Sequence, residues 1–157
     1  MKKLLLILGE KKKFASDSET LLWHVINRMS IPQNRCRLEY VYHSKPLSTI
    51  SERRPFLYSR FCTLKTDLEQ NVIVGFGWLP TEFLIGSGKP QFSGYVGCKW
   101  NIKPSCGAKA WITYDPAAAH FDPNIIVDIT GVIVSAAKDA EIPIKINHSE
   151  PVYAWKI

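Results

Sequence analysis

The chain has 157 residues, 46% hydrophobic and 22% charged, which is the composition of one globular domain with its own core. No run approaches the roughly 18 apolar residues of a membrane span, so a membrane partner is not expected. The net charge of +6 fits a polyanionic partner such as DNA and fits plain solubility equally well.

The first apolar run is Leu4 to Leu8. Met1-Lys2-Lys3 before it imitates the start of a signal peptide, but the run is short and lacks a small-residue cleavage site. Gly9, Glu10 and three lysines follow at once, so a buried strand and a cytoplasmic location are predicted. Leu21, Leu22, Val25, Ile26 and Met29 then share one helical face, with His24 beside the stripe as a structural residue. Leu38 to Tyr42 is a second strand, and Leu57, Phe61 and Leu64 repeat the helical spacing after Pro55. Val72 to Phe76 is a third strand, with Pro80 in the first turn of a helix through Leu84. The Gly-, Pro-, Ser- and Lys-rich stretch from Ser87 to Lys109 reads as a long loop or small hairpin.

Ala110 to Thr113 is the fourth strand. Asp122-Pro123 then reads as a cap and first-turn proline, ahead of a stripe of Ile125, Ile126, Ile129, Val132, Ile133 and Ala136. The tail from Pro143 to Ile157 is predicted to add a last edge segment. Most of the strands are too continuously apolar to have one wet face, and they alternate with helices. Right-handed crossovers then give an α/β fold with helices on both faces of a four-stranded parallel sheet. No internal repeat or second domain is visible, so residues 1–157 are read as one domain.

Open parallel sheets bind ligands beyond the carboxyl ends of their strands. Four segments arrive there: Gly9-Glu10-Lys11, Tyr42-His43-Ser44, Gly75-Phe76-Gly77 and Tyr114-Asp115-Pro116. Glu10 is either a water-activating carboxylate or a solvated loop acid. Asp115 either reaches over the sheet edge or caps the Ala-rich segment after it. Lys11, Lys12 and Lys13 either neutralise phosphates or form a solvated loop, and Phe14 either stacks on a base or anchors that loop. Gly75-Phe76-Gly77 lacks the third glycine of a dinucleotide fingerprint, and no Walker loop is present. Cys36, Cys62, Cys98 and Cys106 show no C-x-x-C spacing and are expected to be free thiols, with pairing of Cys98 and Cys106 left open. His43, His120 and His148 are too scattered for a metal site, so no metal is expected.

Taken in order, the motifs resemble the uracil-DNA glycosylase superfamily, in its thermostable and phage-associated branch. Gly9-Glu10 after the first strand is similar to that branch's first motif, and Arg54-Pro55-Phe56-Leu57 to its "CRPFL" helix. The run from Asn71 to Gly77 with Leu84-Ile85-Gly86 is similar to "P-x-V-I-V-A-L-G … L-L-G", and Thr113 to Ala118 to "T-Y-H-P-S/A-A". The resemblance spans roughly residues 4 to 140. It implies a cofactor-free enzyme that draws a base out of DNA and hydrolyses its glycosidic bond at the sheet's carboxyl edge.

By position in those motifs, Glu10 would hold the water and Asp115 would stand in the place of a histidine that stabilises the leaving base. Phe14, Tyr42, His43, Tyr114, Pro116 and Ala117 would contact the substrate, and Lys11, Lys12, Lys13 and Lys99 the phosphates. The chain departs from the pattern at four places. Lys11-Lys12-Lys13 replaces Ala-Pro-Gly, and an ionised Asp115 cannot donate a hydrogen bond as histidine does. No asparagine stands in the region Tyr40 to His43 to read uracil. The family's iron–sulphur cysteines are absent too, with Arg54 where one is expected, so no cluster is expected. DNA is the expected partner, in the host cytoplasm if the chain is viral. The rival reading is an inactive relative that serves as a replication or repair accessory, its aromatic residues docking another protein.

Overall fold

The computed structural model describes residues 1–11, 17–102 and 107–145. Its elements are β1 (Leu4–Glu10), α1 (Asp17–Arg28), β2 (Cys36–Tyr42), α2 (Ile50–Gln70), β3 (Val72–Phe76), α3 (Trp78–Ile85), β4 (Lys99–Asn101), β5 (Lys109–Thr113) and α4 (Ile125–Asp139). Together they form an α/β fold with a five-stranded sheet in the order β2-β1-β3-β5-β4. β1, β2, β3 and β5 run parallel, and β4 pairs antiparallel with β5.

The expected count of four parallel strands is therefore corrected to five strands in a mixed sheet. The extra strand comes from the Ser87–Lys109 stretch, whose hairpin returns β4 along β5. Its three residues alternate exposed, half-buried and exposed, a pattern too short to stand out as a strand in the sequence.

The four parallel strands separate two apolar cores, an arrangement compatible with α/β/α layering. Leu4, Leu6, Leu8, Val74 and Phe76 pack with the stripes of α1 and α4. Leu5, Ile7, Ile73 and Ile112 point the other way, towards Leu57, Phe61, Leu64 and Leu68 of α2 and Leu84 of α3. Period-two alternation in a strand buried on both sides gives this division.

Local signals explain the helix ends. Asp17 and Glu19 occupy the first turn of α1 and Arg28 the last, each complementing the helix dipole. α2 starts at Ile50, five residues ahead of Pro55, which sits inside it. Thr49 caps it, its hydroxyl accepting from the Glu52 N–H at 3.2 Å. Pro55 is tolerated because the carbonyl it leaves without a partner belongs to Ser51, which is exposed to water. Asp122 caps the turn leading into α4, accepting from the Asn124 N–H at 3.0 Å.

Pro143 to Lys145 form no strand; the Lys145 N–H donates to the Met29 carbonyl at 3.1 Å. The rest of the expected edge segment lies outside the described residues. Cys36, Cys62 and Cys98 are free thiols, and Cys106 also lies outside the described residues. Among the described residues, no helix is long and apolar enough to cross a membrane.

Candidate active site at the carboxyl edge

From β1 the chain crosses to β2 on one side and later returns to β3 on the other. The carboxyl ends of β1 and β3 therefore form a topological switch point, where helices leaving in opposite directions open a crevice. A cavity of about 180 Å³ lies there, walled by Leu8, Gly9 and Glu10 of β1 and by Phe76 to Pro80 at the β3–α3 junction, with Ser18 and Asp115 completing it. It is smaller than the roughly 300–1,000 Å³ of pockets for drug-sized ligands, and suits a single small ring.

Two glycines shape the walls. A Cβ on Gly9 would stand 2.9 Å from Leu79 Cδ1, so glycine lets the first turn of α3 close against the end of β1. Gly77 has φ +95°, and a Cβ there would lie 3.3 Å from Asp115 Cβ. Its N–H donates to the Thr113 carbonyl at 2.9 Å, tying the ends of β3 and β5 together.

Asp115 serves both readings of the sequence. It caps the 3-10 turn Pro116–His120, its Oδ1 accepting from the Ala117 N–H at 2.9 Å. The same oxygen accepts from the Ser18 hydroxyl, and the side chain lines the cavity. His120 Nε2 lies 2.9 Å from Asp17 Oδ2, so two contacts pin the start of α1 to the segment after β5.

Glu10 and Asp115 are thus brought to one cavity, while the other expected site residues are spread around it. Tyr42 is buried, stacked on Phe56 with ring centroids 5.0 Å apart, and burial beside Glu82 pushes its phenol up to about 12. His43 is exposed, 3.4 Å from an Arg60 nitrogen on the α2 side. Tyr114 meets Phe92 edge-on at 6.0 Å, Pro116 is buried, and Ala117 serves through its backbone N–H. Lys11 is exposed just past Glu10, its N–H donating to the Tyr42 carbonyl at 2.9 Å. Lys12, Lys13 and Phe14 lie outside the described residues. Lys99 stands on β4 with its ammonium 3.0 Å from Asp139 at the end of α4, away from the cavity.

Ser18, Trp78, Leu79 and Pro80 also line the cavity and are not among the expected site residues. Trp78 had a usable signal, an aromatic directly after a strand-ending Gly-Phe-Gly. Ser18 had none, because its contact with Asp115 spans 97 residues. Behind this wall, Arg53 forms a two-pronged pair with Glu82 at 2.7 and 3.0 Å, and also donates to the Leu47 and Ser48 carbonyls. This buried pair fixes the start of α2 against α3.

Among the described residues, no group of His, Cys, Asp and Glu is arranged to hold a metal ion. No protein-family model matches the chain, and no curated protein matches it.

Proposed function

We propose that this chain is a uracil-DNA-glycosylase-like DNA-binding protein whose switch-point cavity takes a base drawn out of the DNA. The observation that carries this reading is the sorting of charge at the site. Two carboxylates, Glu10 and Asp115, line the cavity, whereas Lys11 is exposed beyond it. A phosphate placed inside the cavity would be repelled by those acids, whereas an uncharged base would not. A polymer can place an uncharged base inside and leave its phosphates outside, against the lysines. The ordered motifs supply the expectation of uracil or another modified base.

In excision the C1′–N bond breaks and its electron pair leaves with the base. A water oxygen then bonds to C1′ and gives its proton to Glu10. Two carboxylates beside the sugar favour an oxocarbenium-like transition state, as they do in glycoside hydrolysis. Asp115 acts on the positive sugar in this scheme rather than as a donor to the leaving base. The second reading, binding without excision, draws support from Asp115 Oδ1, which already accepts two hydrogen bonds within the protein.

The test is abasic-site formation on labelled single- and double-stranded DNA containing uracil, with filter binding on the same samples across salt. Abasic sites that vanish in Glu10→Gln while affinity stays would support excision. Salt-dependent binding without abasic sites from any modified base would leave the binding reading. No binding at any salt would overturn both.

A further inference from the structure

Trp78 is a cavity-lining residue with no part in the chemistry above. The cavity has two aromatic walls, Phe76 and Trp78, and Phe76 is 1% exposed. Trp78 is half-buried, so its indole is the aromatic surface there that an incoming ring can reach. Two cations lie over it, Arg53 at 5.7 Å and Lys89 at 5.9 Å from the ring centroid.

The two cations differ in freedom. Arg53 is committed to Glu82 and to two backbone carbonyls, so it is held in place beside the indole. Lys89 is exposed on the 3-10 turn Lys89–Gly94 and has no carboxylate partner among the described residues. An exposed cation–π contact is weaker than the stacking of a base on an aromatic ring. A base can therefore take the lysine's place on the indole, and the released ammonium is then positioned for a phosphate.

Resting on the reading of the cavity as a base site, we propose that Trp78 is the ring on which the extruded base stacks. Lys89 is the cation that meets the neighbouring phosphate. The Lys89–Trp78 contact in the free protein holds both groups close to their working positions, which lowers the ordering cost of binding.

The test compares oligo-dT with a polymer of abasic deoxyribose phosphate of equal length, which keeps the phosphates and lacks the bases. Filter binding is run over a salt series, with thermal melts to verify folding. Trp78→Ala should weaken oligo-dT binding roughly 5- to 150-fold and leave the abasic polymer unaffected, while Trp78→Phe retains most of the affinity. Lys89→Gln should lower the salt slope by about 0.7 on both polymers. Equal losses for Trp78→Ala on the two polymers, or no loss on either, would overturn the stacking role while wild-type binding left the wider reading intact. A wild-type protein that binds neither polymer would sink both.

Discussion

The two edges of the sheet carry charge differently. At the amino edge, three cations are paired with acids or carbonyls. Arg37 bridges Glu39 at 2.8 Å and Asp67 at 2.6 Å, Lys99 meets Asp139, and Arg35 donates to the Lys2 and Ala140 carbonyls. At the carboxyl edge, Glu10 and Asp115 share a cavity while Lys11 and Lys89 stand exposed outside it. The amino edge uses these charges to close the fold; the carboxyl edge does so behind the cavity, at Arg53 and Glu82, and in addition turns two carboxylates towards an open space. Carboxylates gathered at an open cavity are the pattern expected where a ligand completes the electrostatics.

Breaking the buried pair behind the cavity should have the largest effect on stability. Arg53→Ala leaves Glu82, 3% exposed, with its charge buried and uncompensated. A loss of about 3–5 kcal/mol is expected in urea unfolding. The matching change at the amino edge, Arg37→Ala, removes a side chain that is 43% exposed and should lose about 1 kcal/mol or less. Equal losses would erase the contrast between the edges.

Gly77→Ala comes next. A side chain at φ +95° and ψ 178° is strained, and its Cβ would press on Asp115, so a loss of about 1–3 kcal/mol is expected together with weaker DNA binding. Unchanged binding would mean that the cavity wall does not shape the ligand site.

Lys99→Gln should have the smallest effect. Its ammonium is engaged by Asp139 far from the cavity, so the salt slope of DNA binding should not change. Burial pushes the Asp139 carboxyl up, but hydrogen bonds from Lys99 and Trp111 outweigh it and hold the group below its usual range. A lowered carboxyl contributes stability above its unfolded value, and that contribution is lost as pH falls through the folded value. The small stability difference between wild type and Lys99→Gln should therefore be present at neutral pH and shrink below about pH 4. A salt slope that falls in this variant would return Lys99 to the DNA interface.

Much of the fold was legible in the sequence because its strands are buried on both sides. Val72 to Phe76 reads as a strand without help from any neighbour, and the α4 stripe repeats over four turns. β4 was hidden, since three residues of alternating exposure carry no period that the chain alone can show. The start of α2 was less legible, since the apolar spacing shows only after Pro55 while the Thr49 cap six residues before that proline sets the first turn. At the site, Glu10 and Asp115 were legible as strand-end acids. Ser18 was not, because a hydroxyl in the first turn of α1 gains meaning only when folding brings it to Asp115. Tyr42, named as a substrate contact through the family resemblance, is buried and stacked on Phe56, a packing partner that strand position alone does not show.

Photocross-linking tests most directly whether a base enters the cavity between β1 and β3. An oligonucleotide carrying 5-iodouracil would be irradiated with the protein and the attached peptide identified by mass spectrometry. Attachment at Trp78 or within Leu8 to Glu10, lost when excess uracil-containing DNA competes, is the predicted result. Attachment confined to the amino edge, around Lys2, Arg35 or Lys99, would contradict it and move the DNA to the opposite side of the sheet.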